Sequence, residues 1–144
     1  MIAVDSNVLV AAHRLDAAGH AAAEAAVRAL AEGEAAWAVP APCLHEFLAI
    51  VTHPRIFDPP STMSAALAQV DAWRASPSVT VISESGRHWA SLASVLRQSG
   101  VTGARVHDAR IAAICRDHGA RKILTADRDF ERFGGIEARN PMTG

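Results

Sequence analysis

Residues 123–133 read ILTADRDFERF, and this stretch decides which fold the whole sequence predicts. It begins with an apolar run that is typical of a short buried strand. Asp127 and Asp129 follow that strand directly, and Phe130 and Phe133 can fold back beneath the loop that carries the two acids. Ligands of open α/β sheets bind beyond the carboxyl ends of the strands, so acids at this position indicate a metal site.

Length and composition indicate a folded chain with one sizeable core. The chain has 144 residues, of which 50% are hydrophobic, so it is not disordered, and we expect a single domain over residues 1–144. No apolar run reaches the roughly 18–20 residues that span a bilayer, and the first residues do not form a secretory signal. Cys43 and Cys115 are isolated in the sequence, which favours free thiols in a reducing compartment. We therefore expect a cytoplasmic protein that makes no contact with membranes.

The net charge of −1 conceals an excess of basic residues outside a small group of acids. If the five acids singled out below are set aside, the remaining balance is +4, and every basic residue except Lys122 is an arginine. Arginine suits planar, bidentate contacts with phosphates, which points to nucleic acid. An arginine- and alanine-rich composition also arises simply from a GC-rich genome, and the sequence leaves both explanations open.

Apolar periodicity predicts short strands that alternate with pairs of helices. The predicted strands cover residues 1–4, 36–39, 79–82 and 122–125, with a short fifth at 136–138. The predicted helices cover residues 6–13, 20–32, 42–52, 62–74, 87–98 and 106–118. We expect Ser6 or Asn7 to cap the first helix. Strands separated by helices pair in parallel through right-handed crossovers, so we expect a three-layer α/β/α fold with a central parallel sheet of four to five strands.

Four acids lie where the ends of these elements would bring them together. Asp5 ends the first strand and Asp127 follows the fourth. Glu46 lies on the helix after the second strand, and Asp108 lies in the first turn of the helix before the fourth. Each acid alone has an ordinary structural explanation, such as a helix cap, a salt bridge or a turn. Their motifs contain no cationic partner and Glu46 has small and apolar neighbours, so convergence of the four acids points to a cation.

Four short motifs carry a resemblance to a known family. They are Asp5-Ser6-Asn7, Glu46-Phe47, His107-Asp108-Ala109 and the run LTADRDF at residues 124–130. Each motif alone is weak, but together, at these spacings, they resemble the signature of PIN-domain ribonucleases. The VapC toxins of bacterial toxin–antitoxin pairs are the best match, and the resemblance extends over essentially the whole chain.

The resemblance implies a set of site residues and a cofactor. The catalytic and metal-binding quartet would be Asp5, Glu46, Asp108 and Asp127, with Asn7, Thr125 and Asp129 in supporting positions. Candidate RNA contacts, for which a solvated surface role is an equal alternative, are Arg105, Arg110, Arg128 and Arg132. Oxygen ligands without His or Cys select Mg²⁺, or Mn²⁺, over zinc.

The resemblance also implies an activity and partners. We expect an endoribonuclease that cleaves structured RNA, such as a transfer RNA or a ribosomal RNA loop, and leaves a 5′-phosphate and a 3′-hydroxyl. We expect a homodimer that is inhibited by a VapB-like antitoxin. Two alternatives stay open at this stage. One is a catalytically silent PIN-fold module that binds metal or protein, and the other is a DNA-directed PIN-like nuclease.

Overall fold

The computed structural model describes residues 1–143 and contains a five-stranded parallel sheet with the strand order β3-β2-β1-β4-β5. The strands are β1 (Ile2–Val4), β2 (Trp37–Pro40), β3 (Val79–Ile82), β4 (Lys122–Leu124) and β5 (Glu137–Arg139). The helices are α1 (Ser6–His13), α2 (His20–Glu32), α3 (Ala41–Val51), α4 (Met63–Arg74), α5 (His88–Ser99) and α6 (Arg105–Asp117). A short 3-10 helix, Arg128–Arg132, lies between β4 and β5. The expected fold class is confirmed.

The strand order places a switch point between β1 and β4. From β1 the chain moves outward to β2 and β3, then returns to the other side of β1 to form β4 and β5. Right-handed crossovers then put α1 to α4 on one face of the sheet and α5 and α6 on the other. The carboxyl ends of β1 and β4 are adjacent, with Val4 paired with Leu124. Ligands of open α/β sheets bind at such a reversal of strand order.

The element boundaries differ from the expected ones by a residue or two, and one cap was assigned wrongly. Helix α1 is capped by Asp5, whose side chain accepts a hydrogen bond from the Ser6 backbone N–H, and not by Ser6 or Asn7. The backbone of Asp5 is extended and follows β1 directly. Asp5 itself therefore caps the helix, and α1 begins at Ser6. The acid at the end of β1 therefore has a structural role in addition to any chemical one.

The two phenylalanines after β4 hold the acidic loop onto the core. Phe130 and Phe133 are each only 1% exposed, and their rings make an edge-to-face contact with centroids 5.4 Å apart.

Cys43 and Cys115 are buried free thiols, as expected, and burial raises the pKa of Cys115 to about 12. No helix within residues 1–143 has the length and apolar character needed to cross a bilayer.

Replacing Phe130 by alanine should loosen the acidic loop as well as the core. Removal of a buried phenyl ring costs about 3–5 kcal/mol of unfolding free energy through lost transfer energy and the cavity that remains. We expect chemical denaturation to show a loss of that order for Phe130→Ala. The matched control is Trp89→Ala, because Trp89 is 81% exposed and its removal should change stability little. Equal stability of the two variants would contradict the anchoring role.

Candidate active site

Asp5 is the most buried of the predicted site acids, with 8% of its surface exposed. One carboxylate oxygen accepts the Ser6 backbone N–H at 2.8 Å, and the other accepts the Thr125 hydroxyl at 2.8 Å. The Cys43 thiol lies 3.5 Å from the first oxygen. Burial raises the pKa of Asp5, and these hydrogen bonds only partly offset the effect. No motif in the sequence indicated that Cys43 would contact Asp5.

Asn7 and Thr125 tie the end of β1 to the end of β4. The Asn7 side-chain amide donates to the Thr125 hydroxyl at 3.3 Å and accepts the Ala126 backbone N–H at 3.0 Å. The Thr125 hydroxyl in turn accepts the Asp127 backbone N–H at 3.0 Å. These bonds fix the start of the loop that carries Asp127. The geometry suits the supporting roles expected for Asn7 and Thr125, which stay predictions.

The four predicted acids line a single cleft of about 270 Å³, called here the acidic cleft. Its lining includes Asp5, Asn7, Glu46, His107, Asp108 and Asp127. The cleft lies at the switch point, because β1 and β4 both end there. Glu46 is exposed on α3, so the expectation that it is a lone carboxylate in apolar surroundings is wrong. Solvent reaches Glu46 from the mouth of the cleft, which removes most of the desolvation cost.

Arg105, the first residue of α6, joins three of the acids. Its guanidinium donates to Asp127 at 2.9 Å and to Asp108 at 3.2 Å, and it also donates to Asp129. Arg105 lies two residues before the His107-Asp108-Ala109 motif, so the acids have a cationic partner that their motifs do not contain. The sequence does indicate the pairing of Arg105 with Asp108, because residues three apart on a helix share a face.

The pKa values of Asp108 and Asp5 show that the acids of the cleft influence one another. Burial raises the pKa of Asp108, and the negative charges of Asp127 and Asp5 raise it further, while Arg105 opposes the shift. Burial also raises the pKa of Asp5, and the charge of Glu46 raises it to a smaller extent. One arginine thus leaves an uncompensated excess of negative charge in the cleft.

The other candidate RNA contacts are distributed around the site. Arg110 lines the acidic cleft and is paired with Glu84, its Nε lying 2.6 Å from a carboxylate oxygen. Arg128 lines a neighbouring cleft together with Thr125 and Asp127, and Arg132 is exposed on the 3-10 helix. Their contacts with RNA stay predictions.

The acids fit a divalent cation in chemical type and in charge. They supply only hard oxygen donors. After burial, the negative charges of Asp127 and Asp5 are the next causes that raise the pKa of Asp108, and a cation in the cleft would offset them. Within residues 1–143, no three His, Cys, Asp or Glu side chains are already arranged to coordinate a metal. Arg105 instead bridges Asp108 and Asp127, so a cation bound there would compete with it for those carboxylates.

Comparison with known proteins identifies the family. The family model of the PIN domain matches residues 2–136. The chain belongs to the PIN-domain family. Ribonuclease VapC43 of Mycobacterium tuberculosis is 33% identical over 144 residues, which cover 100% of this chain and 97% of VapC43. Ribonuclease VapC25 of the same organism is 32% identical over 141 residues, which cover 98% of this chain and 99% of VapC25. The resemblance to VapC ribonucleases is thereby confirmed.

Solved structures confirm that this PIN domain has the expected fold. VapBC2 from Rickettsia felis, bound to a DNA fragment from its promoter, matches with a TM-score of 0.70 and 17% identity, covering 97% of this chain and 98% of that one. The Mycobacterium tuberculosis toxin VapC20, described as cleaving the sarcin-ricin loop, matches with a TM-score of 0.66 and 21% identity. That match covers 94% of this chain and 98% of VapC20.

Because the pKa of Asp108 is raised, its ionised form costs stability. A raised carboxyl pKa favours the folded state below the unfolded pKa, and the benefit is lost as the pH rises through the folded pKa. Asp108→Asn should therefore raise the melting temperature by a few degrees at pH 7 in EDTA. Asp117→Asn is a control for which we expect the opposite change in melting temperature. Burial opposes ionisation of Asp117, but hydrogen bonds from Ser91 and Ser85 outweigh it and lower its pKa, so the amide should destabilise. Equal shifts in both variants would refute the electrostatic explanation.

Proposed function

We propose that this PIN domain is a Mg²⁺-dependent endoribonuclease that acts as the toxin of a toxin–antitoxin pair. The observation that carries the proposal is the acidic cleft, where four carboxylates meet at the switch point of the sheet with a deficit of positive charge. The full-length similarity to VapC ribonucleases supports the same conclusion.

The chain's own residues have distinct tasks in this mechanism. Asp5, Glu46, Asp108 and Asp127 would hold Mg²⁺, or Mn²⁺. A divalent cation bound there supplies an activated water and neutralises the charge that develops on the leaving oxygen. Asn7 and Thr125 orient Asp5 and the start of the Asp127 loop through the bonds described above. Arg105, once displaced from Asp108 and Asp127, becomes available to a phosphate of the substrate.

The substrate we propose is a structured RNA, such as a transfer RNA or a ribosomal RNA loop. VapC20 is described as a toxin that cleaves the sarcin-ricin loop, which is a precedent for this class in a protein of the same fold. The proposed partners are a VapB-like antitoxin and a second copy of the chain. The structure of VapBC2 bound to a DNA fragment from its promoter supports such an assembly for a protein of this fold.

A catalytically silent module remains the competing function, and the contacts of Arg105 favour it. An arginine that neutralises Asp108, Asp127 and Asp129 permanently would stabilise the cleft without any metal. The two functions differ in whether a divalent cation displaces the arginine. A DNA-directed nuclease is separated from both by the choice of substrate in the cleavage assay below.

Removing Arg105 should strengthen metal binding. The three ion pairs of Arg105 are partly exposed, so each is weak, but all three are lost together in this variant and Mn²⁺ binding should tighten severalfold. Calorimetric titration of Mn²⁺ into Arg105→Gln measures the effect directly. Arg110→Gln is the matched control, because Arg110 also lines the cleft but pairs with Glu84. If Arg110→Gln tightens binding as much as Arg105→Gln does, competition by Arg105 is not the cause.

Cleavage of RNA is tested with the purified protein and with cells that express it. We expect new 5′-phosphate ends in a structured RNA with Mg²⁺ present, none in EDTA, and no cleavage of duplex DNA. Asp108→Asn should lower the rate by at least about 10²-fold, because it removes a charged ligand that would hold the cation needed to neutralise the developing negative charge. Asp71→Asn, an exposed change on α4, should leave the rate unaltered. Wild-type protein that generates no new ends in any stable RNA would refute the proposal.

The same cells test the partners. Expression should arrest growth, and co-expression of the open reading frame next to this gene should relieve the arrest if that frame encodes the antitoxin. Sedimentation of the purified protein at tens of micromolar should give a dimer. Growth arrest that persists on co-expression would exclude that antitoxin, and a monomer would exclude the homodimer.

A further inference from the structure

A second cleft lies away from the acids and has the opposite charge. Its volume is about 480 Å³, larger than that of the acidic cleft. We call it the basic cleft, and the lining residues that matter here are Arg87, Ser91, Ser94, Arg116, Asp117 and Arg121. None of these residues belongs to the motifs that resemble PIN-domain ribonucleases.

The fold places the basic cleft at the far end of α6 from Arg105. Arg116 and Asp117 are the last residues of α6, and Arg121 lies directly before β4, at the amino edge of the sheet. Arg105 is the first residue of the same helix and contacts the acids at the carboxyl edge. A 13-residue helix is about 20 Å long, so the two clefts are separated by roughly that distance.

The arginines of the basic cleft exceed its acid in charge, with Arg87, Arg116 and Arg121 against Asp117. Within residues 1–143, the guanidinium groups of Arg87, Arg116 and Arg121 form no ion pair, whereas Arg105 and Arg110 are both paired with acids. They therefore combine positive charge with unused donors.

The single acid of the basic cleft is already satisfied by other groups. Asp117 accepts hydrogen bonds from the hydroxyls of Ser91, at 2.6 Å, and Ser85, at 2.9 Å. It therefore anchors the start of α5 to the end of α6 and does not bridge to an arginine. The hydroxyl of Ser94 lies one turn of α5 beyond Ser91 and adds a further polar group to the lining.

We propose that the basic cleft is a second RNA-binding site that holds backbone phosphates of a structured substrate while the acidic cleft acts on another part of the same strand. The proposal rests on the proposed ribonuclease function for the identity of the ligand. Planar guanidinium groups and serine hydroxyls are donors that match phosphate oxygens, and such contacts position a nucleic acid without reading its sequence. A separation of about 20 Å corresponds to roughly six nucleotides of stacked strand, at about 3.4 Å each.

Binding is measured in an Asp108→Asn background, so that the RNA stays intact. The probe is a fluorescently labelled RNA hairpin of about 30 nucleotides, titrated in Mg²⁺ over a range of salt concentrations. The double variant Arg116→Ala/Arg121→Ala should bind about tenfold more weakly, and its salt slope should fall by about one for each arginine. The matched control is Arg74→Ala/Arg97→Ala, which removes the same charge from exposed sites outside the cleft and should bind as the parent does. Lysine at positions 116 and 121 should restore most of the affinity.

Cleavage kinetics separate the basic cleft from the chemistry. With Asp108 intact, the Arg116→Ala/Arg121→Ala variant should show a raised KM for the hairpin and an unchanged kcat. An oligonucleotide of six nucleotides centred on the mapped cut should be cleaved equally by both proteins, because it cannot reach the basic cleft. Loss of hairpin binding in a protein that cleaves no RNA would support the second site and refute only the proposed ribonuclease function.

Three results would overturn the proposal. The first is hairpin binding by the Arg116→Ala/Arg121→Ala variant as tight as that of the Arg74→Ala/Arg97→Ala control. The second is loss of the dimer in that variant on sedimentation, which would make the cleft an interface between copies. The third is an equal loss of affinity for polyglutamate, which would make the site a general polyanion surface. Thermal melts of each variant establish that weaker binding does not reflect unfolding.

Discussion

Electrostatic repulsion among carboxylates at the carboxyl ends of β1 and β4 is the constraint on which the rest of the site depends. The parallel register brings Val4 beside Leu124, so the acids that leave these strands meet at the switch point of the sheet. Burial and mutual charge raise the pKa of Asp5 and of Asp108, which means that the protein holds these groups at a cost in stability near neutral pH. Such a cost at a cleft is typical of residues retained for function.

The surrounding structure offsets that repulsion in two ways. Hydrogen bonds from Ser6, Asn7 and Thr125 fix Asp5 and the loop of Asp127, so the acids do not relax apart. Phe130 anchors the same loop in the core from below. Arg105 supplies positive charge from the first turn of α6 and contacts three acids. Hydrogen bonds and core packing therefore hold the acids of the cleft in place, while Arg105 supplies the positive charge opposite them.

Local patterns sufficed to predict the parallel sheet and the meeting of the acids. Apolar runs located every strand, and strands that alternate with helices permit few topologies, so the ends of β1 and β4 could be placed without coordinates. The failures concern side chains whose surroundings come from several elements. Glu46 has apolar neighbours along α3 but faces solvent, and the contacts of Arg105 with Asp127 and Asp129 join residues more than 20 positions apart. The basic cleft likewise combines α5, the end of α6 and the residue before β4, and no local pattern indicates such a combination.

Electron paramagnetic resonance of Mn²⁺ tests most directly whether the acidic cleft is a metal site. Asp5 is the informative residue, because it lines the cleft but forms no ion pair with Arg105. Replacing it by asparagine removes a ligand charge and leaves the arginine contacts in place. A titration should show Mn²⁺ bound by the wild-type protein and bound more weakly by Asp5→Asn, because one charged ligand is lost. We expect a difference of at least about tenfold, which corresponds to about 1.4 kcal/mol. Equal Mn²⁺ binding by the two proteins would contradict the assignment of the four acids to a metal.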